Sequence, residues 1–171
     1  VDDHDHRLSF HPGPFKVLAS PNNDVVDKTV RELNATADLC DRMGLPANHN
    51  CKINIHVGGA YGQPAEALAR FCRNAYRLSN SAFARLTVEN DDRASLYSVA
   101  DLYEHVYKNT QIPIVFDYHH HQFCTGGLTE QEALELAIST WPDDIVPTVH
   151  YSESHELHVG NDDPTPKHSV L

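Results

Sequence analysis

"IVFDYHHHQFC", residues 114–124, begins with an apolar run typical of a buried β-strand and then places an aspartate and three histidines side by side. Carboxylates and imidazoles are metal-ligand and acid–base groups, so the pattern predicts a strand whose end carries chemistry. This arrangement is typical of α/β barrels, in which functional residues lie at the carboxyl ends of the strands.

Apolar runs of this kind alternate with longer amphipathic stretches, which is typical of βα units that form a parallel sheet. The sequence predicts five strands, in "RLSF", "INIHV", "LTVE", "IVFD" and "VPTVHY". It predicts helices in "DVVDKTVRELNATADLCDRMG", "PAEALARFCRNAYRLS", "LYSVADLYEHVYKN" and "TEQEALELAISTW". We therefore expect an α/β fold of the (β/α)8 TIM-barrel type.

Each predicted strand ends in, or is followed by, a residue that can bind metal or transfer a proton. These residues are His11, His56, Glu89, Asp117 and His150. They lie about 28 to 45 residues apart, close to the roughly 31 residues per unit of a 250-residue barrel. Taken singly, each can equally be a solvated loop residue or a strand cap. Together, at converging strand ends, they favour a metal centre.

The residues after Asp117 extend this set. His120 follows three positions later and can reach the same site, whereas His119 or His121 can hold a ligand or a phosphate from the side. A mixture of imidazole and carboxylate suits several divalent metals. We predict a divalent metal cluster, with Mn²⁺ as the first choice and Zn²⁺, Mg²⁺ or Fe²⁺ as alternatives.

The chain is too short for a closed barrel, which takes about 250 residues and eight strands. It has 171 residues and five predicted strands. We expect a partial barrel of about five βα units over residues 1–153, truncated at both ends, and a polar tail, loop or mobile, over residues 154–171. Because open sheet edges are usually covered or paired, self-association that completes or covers the barrel is also expected.

Composition limits the classes of function. With 13 Lys plus Arg against 24 Asp plus Glu, the formal net charge is −11, which disfavours nucleic-acid binding through a broad basic surface. The four cysteines form no CxxC pair, so reduced thiols in an intracellular protein are expected, cytoplasmic and nucleoid-associated in a prokaryote. No apolar run reaches the roughly 20 residues of a membrane span, and no membrane partner is expected.

Six motifs occur in this order: "RLSFHPGPF", "DLCDRMGL", "INIHVGGAYG", "LTVENDD", "IVFDYHHH" and "TWPDDIVPTVHYSES". Together they resemble the UV damage endonucleases, over about residues 7–153. That family is similar in shape to endonuclease IV and xylose isomerase, a TIM barrel with metal ions at its top. The resemblance implies a DNA repair enzyme that acts on UV-damaged double-stranded DNA and cuts the phosphodiester immediately 5′ to a photolesion. The products would be a 3′-hydroxyl and a 5′-phosphate.

The resemblance also implies roles for individual residues. The implied metal ligands, which are the candidate catalytic residues too, are His11, His56, Glu89, Asp117, His120 and His150. His168 corresponds to a late histidine ligand that would bind metal only. For substrate binding, Phe15 stands at a lesion-probing position and can stack on a base, and Tyr61 of "GGAYG" is the second candidate.

The chain departs from the family pattern at three of the matched positions, one of which is Phe15, where members often have a tyrosine. Thr148 stands where members have a lysine that can be modified to bridge two metals. Pro14 stands where members often have a glutamine that probes the lesion. The family's first strands and its last strand have no counterpart in the five predicted here.

Several further residues have open or minor roles. Asn90 either orients a ligand or caps a turn, Asp91 and Asp92 are interpreted as turn and surface residues, and Trp141 is expected to pack at the bottom of the barrel. The candidate DNA contacts are Arg7, Lys16, Lys52, Arg93 and Lys167.

Two other functions remain open at this point. One is a different metal-dependent TIM-barrel enzyme, such as an abasic-site endonuclease or a sugar isomerase, which activity on abasic DNA or on ketoses would identify. The other is an inactive truncated barrel that binds metal weakly, which metal content and oligomeric state would identify.

Overall fold

The structure, a computed structural model, describes residues 6–154. Its strands form one parallel sheet in the order β1-β2-β3-β4-β5. The strands are β1 Leu8–Phe10, β2 Cys51–Ile55, β3 Leu86–Glu89, β4 Ile114–Asp117 and β5 Val149–His150. All five predicted strands are confirmed, and the sequential parallel order is that of a partial (β/α) barrel.

Helices connect successive strands. They are α1 Asn23–Arg42, α2 Pro64–Ala75, α3 Asn80–Phe83, α4 Val99–Leu102, α5 Lys108–Thr110, α6 Tyr118–His121 and α7 Glu130–Ile138. A π-helical turn, Tyr103–Tyr107, joins α4 to α5. The four predicted helices are present, whereas α3 and α6 were not predicted, because four residues are too few for a helical period to show.

The long helix α1 illustrates why these residues fold as they do. The Asn22 side chain caps its start by accepting a hydrogen bond from the backbone N–H of Asp24 at 2.9 Å. Leu33 and Ala37, four residues apart, are buried on one face. Gly44 follows the helix with a φ of 74°, a left-handed conformation that glycine adopts without strain.

The two faces of the sheet differ in polarity because side chains alternate along each strand. Ile53, Ile55, Leu86, Val88, Ile114 and Phe116 face the helices and form the main hydrophobic core. On the opposite, inner face, the alternate positions are Lys52, Asn54, Thr87, Glu89, Val115 and Asp117, all buried. The inner face of the partial barrel is therefore largely polar, and its acidic residues lie at the carboxyl ends of the strands.

The amino ends of the strands are held together by packing and by one arginine. The Trp141 indole donates a hydrogen bond to the Ile114 carbonyl at 2.7 Å and packs with Val115, which confirms its predicted place at the bottom of the barrel. Arg7 donates hydrogen bonds to the Val146 carbonyl at 2.6 Å and the His49 carbonyl at 3.1 Å. The Arg7 guanidinium therefore binds main chain at the end of the barrel opposite the candidate site, and the candidate DNA contact at Arg7 stays a prediction.

Four further predictions concern the late ligand-type residues, the domain boundary, the cysteines and membrane spans. His168 and Lys167 lie outside the described residues, and the predicted domain boundary after residue 153 stays a prediction. The four cysteines carry free, buried thiols. Within residues 6–154, no helix has the length and apolar character required to cross a membrane.

The packing of α1 against the sheet leads to a stability prediction. Leu33 is 1% exposed, so Leu33→Ala removes buried methyl groups and leaves a cavity; we expect it to lower the free energy of unfolding by about 2–5 kcal/mol. Leu39 on the same helix is 50% exposed, so Leu39→Ala is the matched control, with an expected change within about 0.5 kcal/mol. Urea denaturation of the two variants measures both values, and equal losses would contradict the packing described here.

Candidate metal centre

Glu89, the last residue of β3, is the centre of the candidate site and is 1% exposed. Its Oε2 lies 3.1 Å from Nε2 of His11 and 3.1 Å from Nδ1 of His150. Its Oε1 lies 3.5 Å from Nδ1 of His120 and 3.9 Å from Nε2 of His56. One buried carboxylate is thus surrounded by four imidazoles that come from four different strand ends.

These contacts divide the site into two groups that share Glu89. The first contains His11, Glu89 and His150, and the second contains His56, Glu89 and His120; in each, one possible ligand atom per residue lies within 4.8 Å of the others. Two imidazole nitrogens and one carboxylate oxygen at this separation suit a divalent cation that binds both kinds of ligand. Each group could therefore hold a divalent cation, and Glu89 belongs to both groups.

Asp117 lies at the edge of this arrangement. Its Oδ1 accepts a hydrogen bond from the backbone N–H of His120 at 2.9 Å and so caps α6, a helical turn that the sequence did not predict. Its Oδ2 is 4.0 Å from Nδ1 of His150. Asp117 lines the same cleft of about 580 Å³ as the four histidines, but it belongs to neither three-residue group.

Electrostatics tie the histidines to the carboxylate. Burial by itself would raise the pKa of Glu89, but hydrogen bonds from His11 and His150 and the charge of His56 outweigh it, and the pKa lies well below its usual range. The hydrogen bond to Glu89 raises the pKa of His11 above 6.5. Glu89 is therefore ionised, and protons and cations compete for the same imidazole nitrogens.

Asp91 is a functional residue that sequence reasoning missed. It was interpreted as a turn or surface residue, but it is 5% exposed and its Oδ1 lies 3.3 Å from Nδ1 of His56. A carboxylate at Nδ1 favours the tautomer whose other nitrogen, Nε2, can bind a metal. Burial lowers the pKa of His56, but the close contact with the Asp91 carboxylate and the negative charges of Asp91 and Glu89 outweigh burial, so that the pKa of His56 is raised.

Asn90 orients two other site residues. Its side chain accepts a hydrogen bond from the Asp117 backbone N–H at 2.8 Å and donates one to the Asp117 carbonyl at 3.1 Å. Its own carbonyl lies 2.8 Å from Nδ1 of His120. Of the two roles considered for Asn90, the geometry favours orientation of ligands over capping of a turn.

His119 and His121 lie in neither group, although both are buried. The ring of His121 packs 5.4 Å from that of Phe116, and the ring of His119 packs 5.3 Å from that of Phe123. Burial lowers the pKa of His121. Aromatic rings thus pack against both side chains, and the predicted role of either histidine in holding a ligand or a phosphate stays a prediction.

The two predicted substrate-binding residues lie beside the metal centre. Phe15 is 84% exposed and Tyr61 is 46% exposed, and both line a neighbouring cleft of about 490 Å³. Tyr61 has a φ of 53°, and the Arg70 guanidinium lies 5.7 Å from its ring centroid. Pro14 lines both this cleft and the one that contains Glu89, so the two clefts are adjacent.

The fold and the cluster define the class of this protein: a partial (β/α) barrel with imidazoles and carboxylates gathered at the carboxyl ends of its strands. A family model described as "UV-endonuclease UvdE" matches residues 1–170. The chain belongs to the UV-endonuclease UvdE family, and the resemblance that its motifs indicated is confirmed.

Individual relatives agree with this assignment. A UV-damage endonuclease of Neurospora crassa is 38% identical over 160 residues, which cover 86% of this chain and 24% of the relative. The crystal structure of SacUVDE superposes with a TM-score of 0.80 at 36% identity and covers 92% of this chain and 50% of SacUVDE. This chain thus spans about a quarter of the first relative and half of the second.

A third similarity concerns the fold alone. D-psicose 3-epimerase from Clostridium cellulolyticum H10 superposes with a TM-score of 0.63 at 13% identity, over 86% of this chain and 52% of the epimerase. The shared architecture supports the partial barrel and carries no information about the reaction.

The contact between Asp91 and His56 gives a direct prediction. Because the carboxylate raises the pKa of His56, Asp91→Asn should lower that pKa in the metal-free protein, since the neutral amide no longer stabilises the imidazolium. A pH titration of the His56 ring protons by NMR measures the change. Asp92→Asn is the adjacent control and should have a smaller effect; equal shifts in both variants would argue against the specific contact.

Proposed function

We propose that this chain carries the metal centre of an endonuclease that hydrolyses the phosphodiester immediately 5′ to a UV photolesion in double-stranded DNA. The products are a 3′-hydroxyl and a 5′-phosphate. The observation that supports this most directly is the sharing of Glu89 between two pairs of histidines at the strand ends. Membership of the UvdE family supports UV-damaged DNA as the substrate.

The described residues divide into two ligand sets. His11, Glu89 and His150 would hold one divalent cation, and His56, Glu89 and His120 a second, with Asp117 as a further ligand beside His150. We propose Mn²⁺, with Zn²⁺, Mg²⁺ and Fe²⁺ as the other ions that this donor set can bind. When bound, such ions supply Lewis acidity, which offsets phosphate charge and lowers the pKa of water.

The protein's own side chains supply orientation and charge. Asp91 holds His56, and Asn90 holds both Asp117 and the ring of His120, so that the donors are fixed before a cation or substrate arrives. Glu89 contributes a negative charge, and its carboxylate is almost inaccessible to solvent. The attacking group is water, so no side-chain nucleophile is needed.

Lesion recognition would rest on the exposed aromatic residues next to the metal centre. Phe15 and Tyr61 present rings to one cleft, and stacking on a nucleobase stabilises binding by about 1–3 kcal/mol per base. A photolesion already weakens stacking, so a damaged step costs less to open than an intact one.

Backbone contacts to the DNA would be local, given the net charge of −11. Arg93 is the best placed of the basic candidates, because its exposed side chain lines a cleft together with His56. Lys16 is paired with Glu32, and Lys52 is buried on the inner face, where burial lowers its pKa to about 8. The predicted DNA contact at Lys52 is therefore wrong.

A nicking assay on a duplex with one defined cyclobutane dimer, supplemented with Mn²⁺, tests the proposal. Glu89→Gln removes the charge that both ligand groups share, and His56→Ala removes one ligand, so we expect each to reduce Mn²⁺-dependent nicking by at least about 100-fold. His105→Ala is the control, because His105 is exposed and lies in the π-helical turn. Circular dichroism confirms that all three variants remain folded.

Elemental analysis of the purified chain separates the remaining possibilities. Bound metal together with a cut 5′ to the dimer supports the endonuclease. Cleavage of abasic DNA without cleavage at the dimer would indicate the alternative endonuclease activity, and metal-free protein that cuts neither substrate would indicate an inactive partial barrel.

A further inference from the structure

We infer that Asn54 and Thr87 are positioning residues that hold the Glu89 carboxylate so that each of its oxygens faces a different pair of histidines. The inference rests on the metal centre proposed above and extends it to residues beneath the site. Neither residue was singled out by the sequence, because polar residues inside strands carry no motif.

The three side chains form a continuous hydrogen-bonded column on the inner face of the sheet. Thr87 Oγ1 donates to Asn54 Oδ1 at 2.9 Å, and Asn54 Nδ2 donates to Glu89 Oε2. Asn54 and Thr87 are directly paired across β2 and β3, so their side chains lie side by side. Their exposed fractions are 0%, and that of Glu89 is 1%.

The chemistry of the three groups determines which of them donates and which accepts in each hydrogen bond of this column. A carboxylate only accepts hydrogen bonds, so the amide must turn its NH₂ toward Glu89 and its oxygen toward Thr87. A hydroxyl can rotate to donate to that oxygen, and Thr87 does so. Removal of the Thr87 hydroxyl would leave the buried Asn54 oxygen without this donor, which weakens the restraint on the amide.

The orientation of the Asn54 amide matters because each oxygen of the Glu89 carboxylate lies near a different pair of histidines. Oε2, which accepts from Asn54, is the oxygen near His11 and His150, while Oε1 is the oxygen near His56 and His120. The terminal torsion of a glutamate is broad and roughly two-fold, so the side chain alone does not fix its oxygens. The Asn54 amide anchors one oxygen from below and thereby sets the direction of the other.

The test uses the full chain and compares Thr87→Val with Thr87→Ser. Valine keeps the size and β-branching of threonine without the hydroxyl, whereas serine keeps the hydroxyl. Isothermal titration with Mn²⁺ gives the affinity and stoichiometry, and the electron paramagnetic resonance spectrum of the loaded chain reports whether two Mn²⁺ ions are coupled. We expect Thr87→Val to weaken Mn²⁺ binding by about 10–100-fold and to reduce the coupled signal, and Thr87→Ser to retain both.

Thr110→Val controls for the loss of a buried hydrogen bond in general. Thr110 is 5% exposed and its hydroxyl donates to the Val106 carbonyl at 2.8 Å, in a helix outside the candidate site. This variant should lower stability without changing Mn²⁺ affinity or the coupled signal. Asn54→Leu, which removes the amide itself, replaces Thr87→Val if the latter does not fold, and is expected to weaken binding at least as much.

The outcomes distinguish this inference from the proposed function. Two Mn²⁺ ions bound by Thr87→Val with the affinity and coupled signal of the wild-type chain would overturn the positioning role and leave the metal centre standing. Equal weakening in Thr87→Ser and Thr87→Val would also overturn it, because the hydroxyl would then not be the group that matters. A wild-type chain that binds no Mn²⁺ would overturn the metal centre and the positioning role together.

Discussion

The burial of one carboxylate at the end of the third strand is the constraint on which the site depends. An ionised group as inaccessible as Glu89 is stable only if opposite charge or hydrogen-bond donors surround it. Four imidazoles, which lie at or shortly after the ends of the other four strands, and the Asn54 amide within β2 surround the Glu89 carboxylate. The parallel order of the sheet is what brings residues so distant in sequence to one carboxylate.

The same constraint explains why the chain concentrates polar residues on one face of its sheet. The outer face has a helix packed on it and is apolar, whereas the inner face must support a charged centre from below. The Asn54 amide that donates to Glu89 also has an oxygen that needs a hydrogen-bond donor when it is buried. The Thr87 hydroxyl is that donor, so the buried polar network includes Thr87 as well. The site is therefore a column through the barrel interior as well as a ring of ligands at its rim.

The sequence predicts the strands and their terminal residues well, because both depend on local patterns: an apolar run, then a ligand-type residue. His11, His56, Glu89 and His150 are brought together as the pattern indicates. Asp117 shows where such reasoning is incomplete. An aspartate at the end of a strand can also cap a helical turn that follows it, and Asp117 caps α6 in this way. Asp91 could not be assigned from sequence, because its burial depends on a loop that folds back so that Asp91 and Tyr97 form a backbone hydrogen bond at 3.0 Å.

The Arg7 contacts at the opposite end of the barrel have a different kind of consequence. Both of its partners are backbone carbonyls, at His49 and Val146, in the segments that precede β2 and β5. A carbonyl is present whatever side chain a residue bears, so these two segments can change in sequence without loss of the tie. Arg7 therefore links the segments before β2 and β5 through main-chain atoms alone, at the end of the sheet opposite the candidate site.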